Sequence, residues 1–353
     1  MIEVMQALLA RQSGVSIVVK TSAPRRLFER ALGERFEFFE LQSDTGMVQI
    51  DSLTPDTAES IRQAKAFHAQ LDQKAASEAA FLRQRGTRLV VGDIPPLAFA
   101  AADAAGVQSM AIGNFTWDWI YEGYPEESPF DLTEAIREAY RKATLALRLP
   151  TSGGFTGLES ITRDIPFVAR RSTREPADVR RGLGLPNDTP LVLMSFGGYG
   201  LDGVNVGALA ALRGYAIATT DLPSREKGSR PLFRPVPGLH DLSETQMCAN
   251  GFRYEDLVRA ADVVVTKPGY GIVTEAMAND TALLYTSRGR FVEYDVLVKA
   301  MPRYVRAQFI EQGDLLSGNW VPALEQLLAS PAPPEKPDLN GAAVAADAIL
   351  SLL

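Results

Sequence analysis

Ala261-Asp-Val-Val-Val-Thr-Lys-Pro-Gly-Tyr-Gly-Ile-Val-Thr-Glu275 is the stretch whose reading decides the fold. Its β-branched run, Val263 to Val265, is expected to form a strand buried on both faces. Lys267-Pro-Gly-Tyr-Gly271 then turns the chain, and Ile272 to Ala278 is expected to be helical. A parallel strand that ends in a glycine turn and enters a helix leaves N–H groups at the helix start without intrahelical acceptors. Together with the positive end of the helix dipole, those groups make a site for phosphate. Thr274 and Glu275 are expected in the first helical turn, where a hydroxyl and a carboxylate can hold a ribose. The same strand–turn–helix unit also occurs as plain structure, so the rest of the chain has to decide.

A chain of 353 residues is long enough for two domains, each with its own core. The net charge of −7 and a pI of about 5.1 give no general attraction to nucleic acid or anionic membrane. The single cysteine, Cys248, rules out an internal disulfide, and one cysteine with two histidines cannot build a zinc site. No metal and no tightly held cofactor are expected. No apolar run approaches the length of a membrane span, and Met1-Ile-Glu-Val lacks the basic start of a signal peptide. The expectation is a cytoplasmic protein without integral membrane association.

In the first half, strands at 15–20, 36–41, 89–93 and 107–112 are expected to alternate with helices at 3–11, 25–32, 57–85 and 97–105. Such alternation means a parallel sheet covered on both faces. The chain opens on a helix, although a doubly wound sheet places a strand before it, and that strand is usually central. We therefore expect a first strand, with its glycine loop, upstream of Met1. Asp93 falls at the carboxyl end of its strand, where open α/β sheets put ligand-binding groups. Asn114-Phe-Thr-Trp-Asp-Trp-Ile-Tyr-Glu-Gly-Tyr124 follows the next strand and concentrates aromatic and polar side chains. It reads either as an aromatic cap over a core, with Asn114 capping a helix, or as a platform for an acceptor. In the second reading Trp117 and Trp119 would stack on a sugar face while Asn114 bonds hydroxyls.

A helix is expected from Leu132 to Leu147, and Pro150-Thr-Ser-Gly-Gly154 breaks it. We place the domain junction within 150–175, giving an amino-terminal domain at 1–150, a second at 165–335 and a terminal helical segment at 336–353. Pro190 to Met194 is the second domain's first strand, leading into Ser195-Phe-Gly-Gly198. Gly198-Tyr-Gly-Leu-Asp-Gly203 spells a dinucleotide fingerprint, with Asp221 placed to meet a ribose. That reading leaves the loop from Lys267 to Glu275 without a role. Two glycine loops fit one site better, the first facing a crevice and the second holding a diphosphate. His240 is expected in a loop. Ser287-Arg-Gly-Arg290 offers arginines to phosphate, and Glu293, at a helix start, is a candidate for donor-sugar hydroxyls.

Ser195-Phe-Gly-Gly198 and Ala261 through Gly269-Tyr-Gly271 to Thr274-Glu275 resemble the carboxyl-terminal domain of glycosyltransferase family 28, which includes the UDP-N-acetylglucosamine transferase of peptidoglycan synthesis. Val91-Gly-Asp93, Ala101 to Gly106, Asn114 to Tyr121, Phe196-Gly-Gly198 and Lys267 to Glu275 are similar to the glycosyltransferase-like amino-terminal region of L-arabinokinases and their bacterial relatives. The resemblance implies two Rossmann-like domains of the GT-B type, the first lacking its first strand. It also implies a UDP-type nucleotide-sugar donor on the second domain. Glu275 would meet the ribose and Gly198, Gly269 and Gly271 the diphosphate; Gly197, Lys267, Tyr270, Thr274 and Glu293 complete the donor-binding candidates read from the residues themselves. The family's Gly-His-Gly-x-Gly-His loop does not occur in this chain, and neither does the sugar kinase domain, so arabinose kinase activity is not implied.

The leading expectation is transfer of a sugar from that donor to an unidentified acceptor hydroxyl in the interdomain cleft. Asp93 is the first choice of base and Asp118 the second. The alternatives are a non-catalytic nucleotide-sugar sensor or scaffold, or an epimerase or phosphorylase on the same fold.

Overall fold

A computed structural model describes residues 1–126, 130–197, 201, 203–220 and 238–353. The chain divides into two compact units. The first takes in Met1–Val48, Asp56–Val168 and Asp338–Leu353, and the second Gln49–Pro55 and Ala169–Pro337. Two exchanges were not anticipated: the terminal helix lies in the first unit and the segment Gln49–Pro55 in the second.

The first unit contains β1 (Val18–Thr21), β2 (Glu37–Glu40), β3 (Leu89–Gly92), β4 (Gln108–Gly113), β5 (Leu145–Arg148) and β6 (Thr162–Asp164). All pairings are parallel, in two sheets of order β1-β2 and β3-β4-β5-β6. Helix Ile2–Arg11 touches the cores of both. Val4 and Leu8 join Met110, Ile112 and Leu147, while Leu9 joins Val19 and Phe28. The carboxyl-terminal helix Gly341–Leu352 packs on it, adding Ala345 and Ile349 to the first of these cores. At its start, a Cβ on Gly341 would stand 2.1 Å from the Pro166 carbonyl oxygen, so only glycine permits this approach.

Two expectations for this unit are corrected. The segment 57–85 forms two helices, Thr57–His68 and Leu71–Gln84, with a bend at Gln70 (φ −111°, ψ 10°). Phe67 and Leu71, on either side of the bend, still enter one core cluster, so the apolar stripe runs through the break. The helix expected to reach Leu147 spans Phe130–Tyr140 and gives way to β5, which pairs Leu145 with Met110. A short apolar run flanked on both sides by other strands has no alternation to distinguish it from a buried helical turn.

The second unit contains β7 (Leu191–Met194), β8 (Ala216–Thr219), β9 (Leu239–Asp241), β10 (Val263–Thr266), β11 (Ala282–Tyr285) and β12 (Ala307–Phe309). Their spatial order is β9-β8-β7-β10-β11-β12, all parallel. This is the 3-2-1-4-5-6 order of a doubly wound dinucleotide-type sheet. His240 lies in β9, paired with Ala218, and not in a loop. Val264 sits between Leu193 and Leu283, and all three are fully buried. The β-branched run of the opening stretch is therefore a central strand.

Gln49–Pro55 is a small antiparallel clip closed by a bridge between Gln49 and Pro55. The Asp51 carboxylate accepts from the N–H groups of Leu53 and Thr54, both at 2.8 Å. This puts Leu53 into the second unit's core and lets the buried Ser52 hydroxyl donate to the Phe196 carbonyl at 2.8 Å.

Candidate functional site

In a doubly wound sheet the crossovers leave from opposite faces on either side of one strand pair. The loops there part and open a crevice at the carboxyl ends of those strands. In the second unit that pair is β7 and β10. The loops that follow are Ser195-Phe-Gly197 and Lys267-Pro-Gly269, the two glycine turns singled out in the sequence.

Gly197 has φ +76°, a left-handed conformation that favours glycine. Gly198, and the rest of the dinucleotide-like stretch to Asp202 apart from Leu201, lie outside the described residues, as does Asp221. After β10 the helix spans Tyr270–Asn279 with Gly269 as its N-cap, and no side chain caps it. Its first-turn amides thus face the turn, and space is open where a Cβ on Gly269 or Gly271 would stand.

Because the helix starts at Tyr270, Thr274 and Glu275 fall in its second turn. This corrects the placement expected from sequence. The Thr274 hydroxyl donates back to the carbonyls of Tyr270 (2.8 Å) and Gly271 (3.0 Å), and serves the helix itself. Glu275 is buried and forms an ion pair with Arg170, through both Nε and Nη2. Lys267 is half-buried, and its pKa is lowered to about 8. Desolvation is the main cause; the charge of Arg288 adds to it and Glu293 opposes it. Burial also raises the Tyr270 phenol.

Arg288 is buried over the Phe291 ring, 3.5 Å from its centroid, and donates to Glu293 Oε1 at 3.0 Å. Glu293, expected to meet a sugar, is thus held by an arginine at the start of helix Glu293–Tyr304. Arg290 is exposed. Sequence reasoning missed Arg170, Tyr254 and Ser52, whose partners lie 59 to 144 positions away.

In the first unit, Asp93 follows β3 and reaches solvent. Protein nevertheless surrounds its carboxyl closely enough that desolvation raises its pKa, opposed by the chain's amino group. Ile94, the next residue, is buried at φ +56°, a strained conformation for a β-branched side chain. The buried Tyr140 hydroxyl holds it by donating to the Ile94 carbonyl at 2.8 Å. Gly113 leaves room for it, since a Cβ there would meet Ile94 Cγ2 at 2.5 Å. Asp44, which the sequence did not single out, lies near enough to feel the charge of Asp93. Its pKa is raised mainly by desolvation, opposed by a hydrogen bond from Trp117 Nε1 at 3.3 Å.

The aromatic segment is engaged in contacts within its own unit. Thr116, not Asn114, is the N-cap of helix Trp117–Glu122. The Asn114 amide donates to the Pro150 carbonyl at 2.9 Å. Trp117 stacks on Tyr121 with centroids 5.7 Å apart, and Trp119 lies against Gly153, where a Cβ would stand 2.3 Å from the indole. Asp118 is corrected: it is 1% exposed and accepts from Arg137 Nε at 3.0 Å, so it presents no carboxylate to a substrate. Burial raises its pKa, opposed by bonds from Thr116 and Arg137.

Among the described residues no group of three or more His, Cys, Asp or Glu side chains is placed to hold a metal, and no helix is long and apolar enough to cross a membrane.

Taken together, the parallel sheets and the switch-point loops define the fold of GT-B glycosyltransferases. It is shared with the glycotransferase of kitacinnamycin (TM-score 0.62, 16% identity, covering 100% of this chain and 94% of that one). It is also shared with Arabidopsis thaliana UGT89C1 complexed with UDP (TM-score 0.54, 18% identity, 99% and 89% covered). In sequence the chain is similar to L-arabinokinase of Arabidopsis thaliana, with 27% identity over 354 residues and 98% of this chain matched. The match covers 32% of that protein, so the chain spans about a third of its length. No family model matches the chain.

Asp118→Ala removes the buried partner of the part-buried Arg137, which keeps Glu122 and Glu134 beside it. The variant should lose about 1.5 kcal/mol of stability, the lower end for a hydrogen bond to a charged group, because the arginine keeps its other carboxylates. This is read as a lower urea midpoint; an unchanged midpoint would show that the pair contributes nothing net.

Proposed function

We propose that the chain binds a UDP-type nucleotide sugar at the carboxyl ends of β7 and β10 and passes the sugar to an acceptor hydroxyl. The observation that carries this reading is the open space before Gly269 and Gly271, with a buried carboxylate one helical turn behind. In this reading the first-turn amides of helix Tyr270–Asn279 and the Lys267 ammonium stabilise the diphosphate as it departs. Glu275 accepts from the ribose hydroxyls, and Tyr270 and Glu293 border the donor. Asp93 takes the acceptor's proton; desolvation brings its affinity for that proton closer to what a general base needs. Fold neighbours complexed with UDP and with thymidine diphosphate support a nucleoside diphosphate as the group held there.

A second reading, a nucleotide-sugar binder without transfer, is favoured by the engagement of Asn114, Trp117 and Trp119 in internal contacts. Turnover of a donor by the wild-type chain separates the two.

Two outcomes test the donor site. In calorimetry Glu275→Gln should raise the UDP dissociation constant at least tenfold, about 1.4 kcal/mol. An unchanged constant would end the ribose assignment. The second outcome follows from the Lys267 pKa of about 8. The lysine is charged below that value and attracts phosphate; above it the attraction is lost. UDP affinity should therefore fall by up to about tenfold between pH 7 and pH 9, and Lys267→Met should bind weakly with a flat profile. An identical slope in that variant would remove Lys267 from the site.

A further inference from the structure

We propose that Arg170 is the positioning residue of the ribose site, holding Glu275 so that the site prefers ribonucleotides to 2′-deoxyribonucleotides. This rests on the reading that Glu275 meets the ribose. Glu275 is only 4% exposed, and a carboxylate that deep needs a countercharge and fixed donors to remain there as an acceptor. Arg170 supplies both, with Nε and Nη2 converging on Oε1. Both N–H donors meet the same oxygen and anchor that end of the carboxylate against the guanidinium.

Arg170 is itself held from three directions. Asn279, one turn beyond Glu275, donates through Nδ2 to the Arg170 carbonyl at 3.0 Å and to the Glu275 carbonyl at 2.8 Å. Its Oδ1 accepts from the Ser172 N–H at 2.9 Å, so both ends of the 170–172 segment are pinned to the helix that carries Glu275. The guanidinium carbon lies 5.6 Å from the Tyr254 ring centroid, and the charge of buried Glu255 acts on it as well. The Tyr254 hydroxyl donates to Ser195 Oγ at 2.7 Å, and Ser195 opens the loop after β7. Arg170 thus connects the helix behind the β10 turn to the loop after β7, on both sides of the switch point.

A site built to bond a hydroxyl rejects a ligand that lacks it, because its buried polar group is then left without a partner. That rejection needs the acceptor in one orientation. Loss of the guanidinium removes the ion pair that orients the Glu275 carboxylate, and the disadvantage of the deoxy ligand shrinks.

The test is calorimetry of the full chain with UDP and 2′-deoxy-UDP, on the wild type, Arg170→Met and Arg170→Lys. The wild type should prefer UDP by at least about tenfold. Arg170→Met should bring the ratio below about threefold, and Arg170→Lys should restore part of it. Ratios are compared only on protein that melts cooperatively, and the lysine variant keeps a charge in place if the methionine variant does not fold. A wild-type ratio retained in the variants, even with both ligands weaker, overturns the proposal and makes Arg170 a plain charge contact. Absence of UDP binding to the wild type overturns the donor reading together with this one. Binding of UDP without discrimination by the wild type overturns the ribose site and leaves the diphosphate site standing.

Discussion

The parallel pairing of β7 with β10 is the constraint on which the rest of the second unit depends. Val192 opposes Val263 and Leu193 opposes Val264, in a register buried on both faces. Because β8 and β9 extend to one side and β11 and β12 to the other, the chain winds in opposite directions from this pair. Loops leaving its carboxyl edge therefore part, and backbone amides and side chains that would otherwise pack against a crossover are left facing outward. The two glycine turns belong there for that reason: one needs the left-handed conformation of Gly197, and the other the open approach at Gly269 and Gly271.

Around that opening the interior is polar and tightly connected. Ser52, from the clip at Gln49–Pro55, bonds the Phe196 carbonyl, and Arg288 joins the β10 turn to helix Glu293–Tyr304 through Glu293. Arg180, mostly buried, donates to the Ala260 carbonyl and to Asp262, which in turn accepts from the Leu191 N–H at 2.6 Å. The entry of β7 and the entry of β10 are thus held by one arginine. Such networks fix backbone positions that apolar packing alone leaves loosely specified.

How much of this could be read from the sequence depended on range. The strand Val263–Thr266, the glycine turn and the helix Tyr270–Asn279 were legible because they follow one another within seventeen residues and each carries its own local signal. The same holds for Pro96–Ala105, which opens on proline and ends at Gly106 in the left-handed conformation. Where two elements share one apolar code, as at Leu145–Arg148, the sequence misled. The pairs Arg170–Glu275, Ser52–Phe196 and Asp118–Arg137 left no local signal, because each joins groups brought together only by the tertiary fold. Glu275 was singled out from its place after the turn, but its depth and its partner were not read. Asp118 shows the converse: a carboxylate among aromatics reads as chemistry until its burial and its arginine are seen.

Hydrogen–deuterium exchange of the full chain, with and without saturating UDP, tests the central claim most directly, because the claim concerns backbone amides. Exchange at the start of helix Tyr270–Asn279 should slow markedly when UDP is present, along with that of Ser195 to Gly197. UDP that leaves these amides exchanging at their original rate, or that protects only segments elsewhere, would contradict the account.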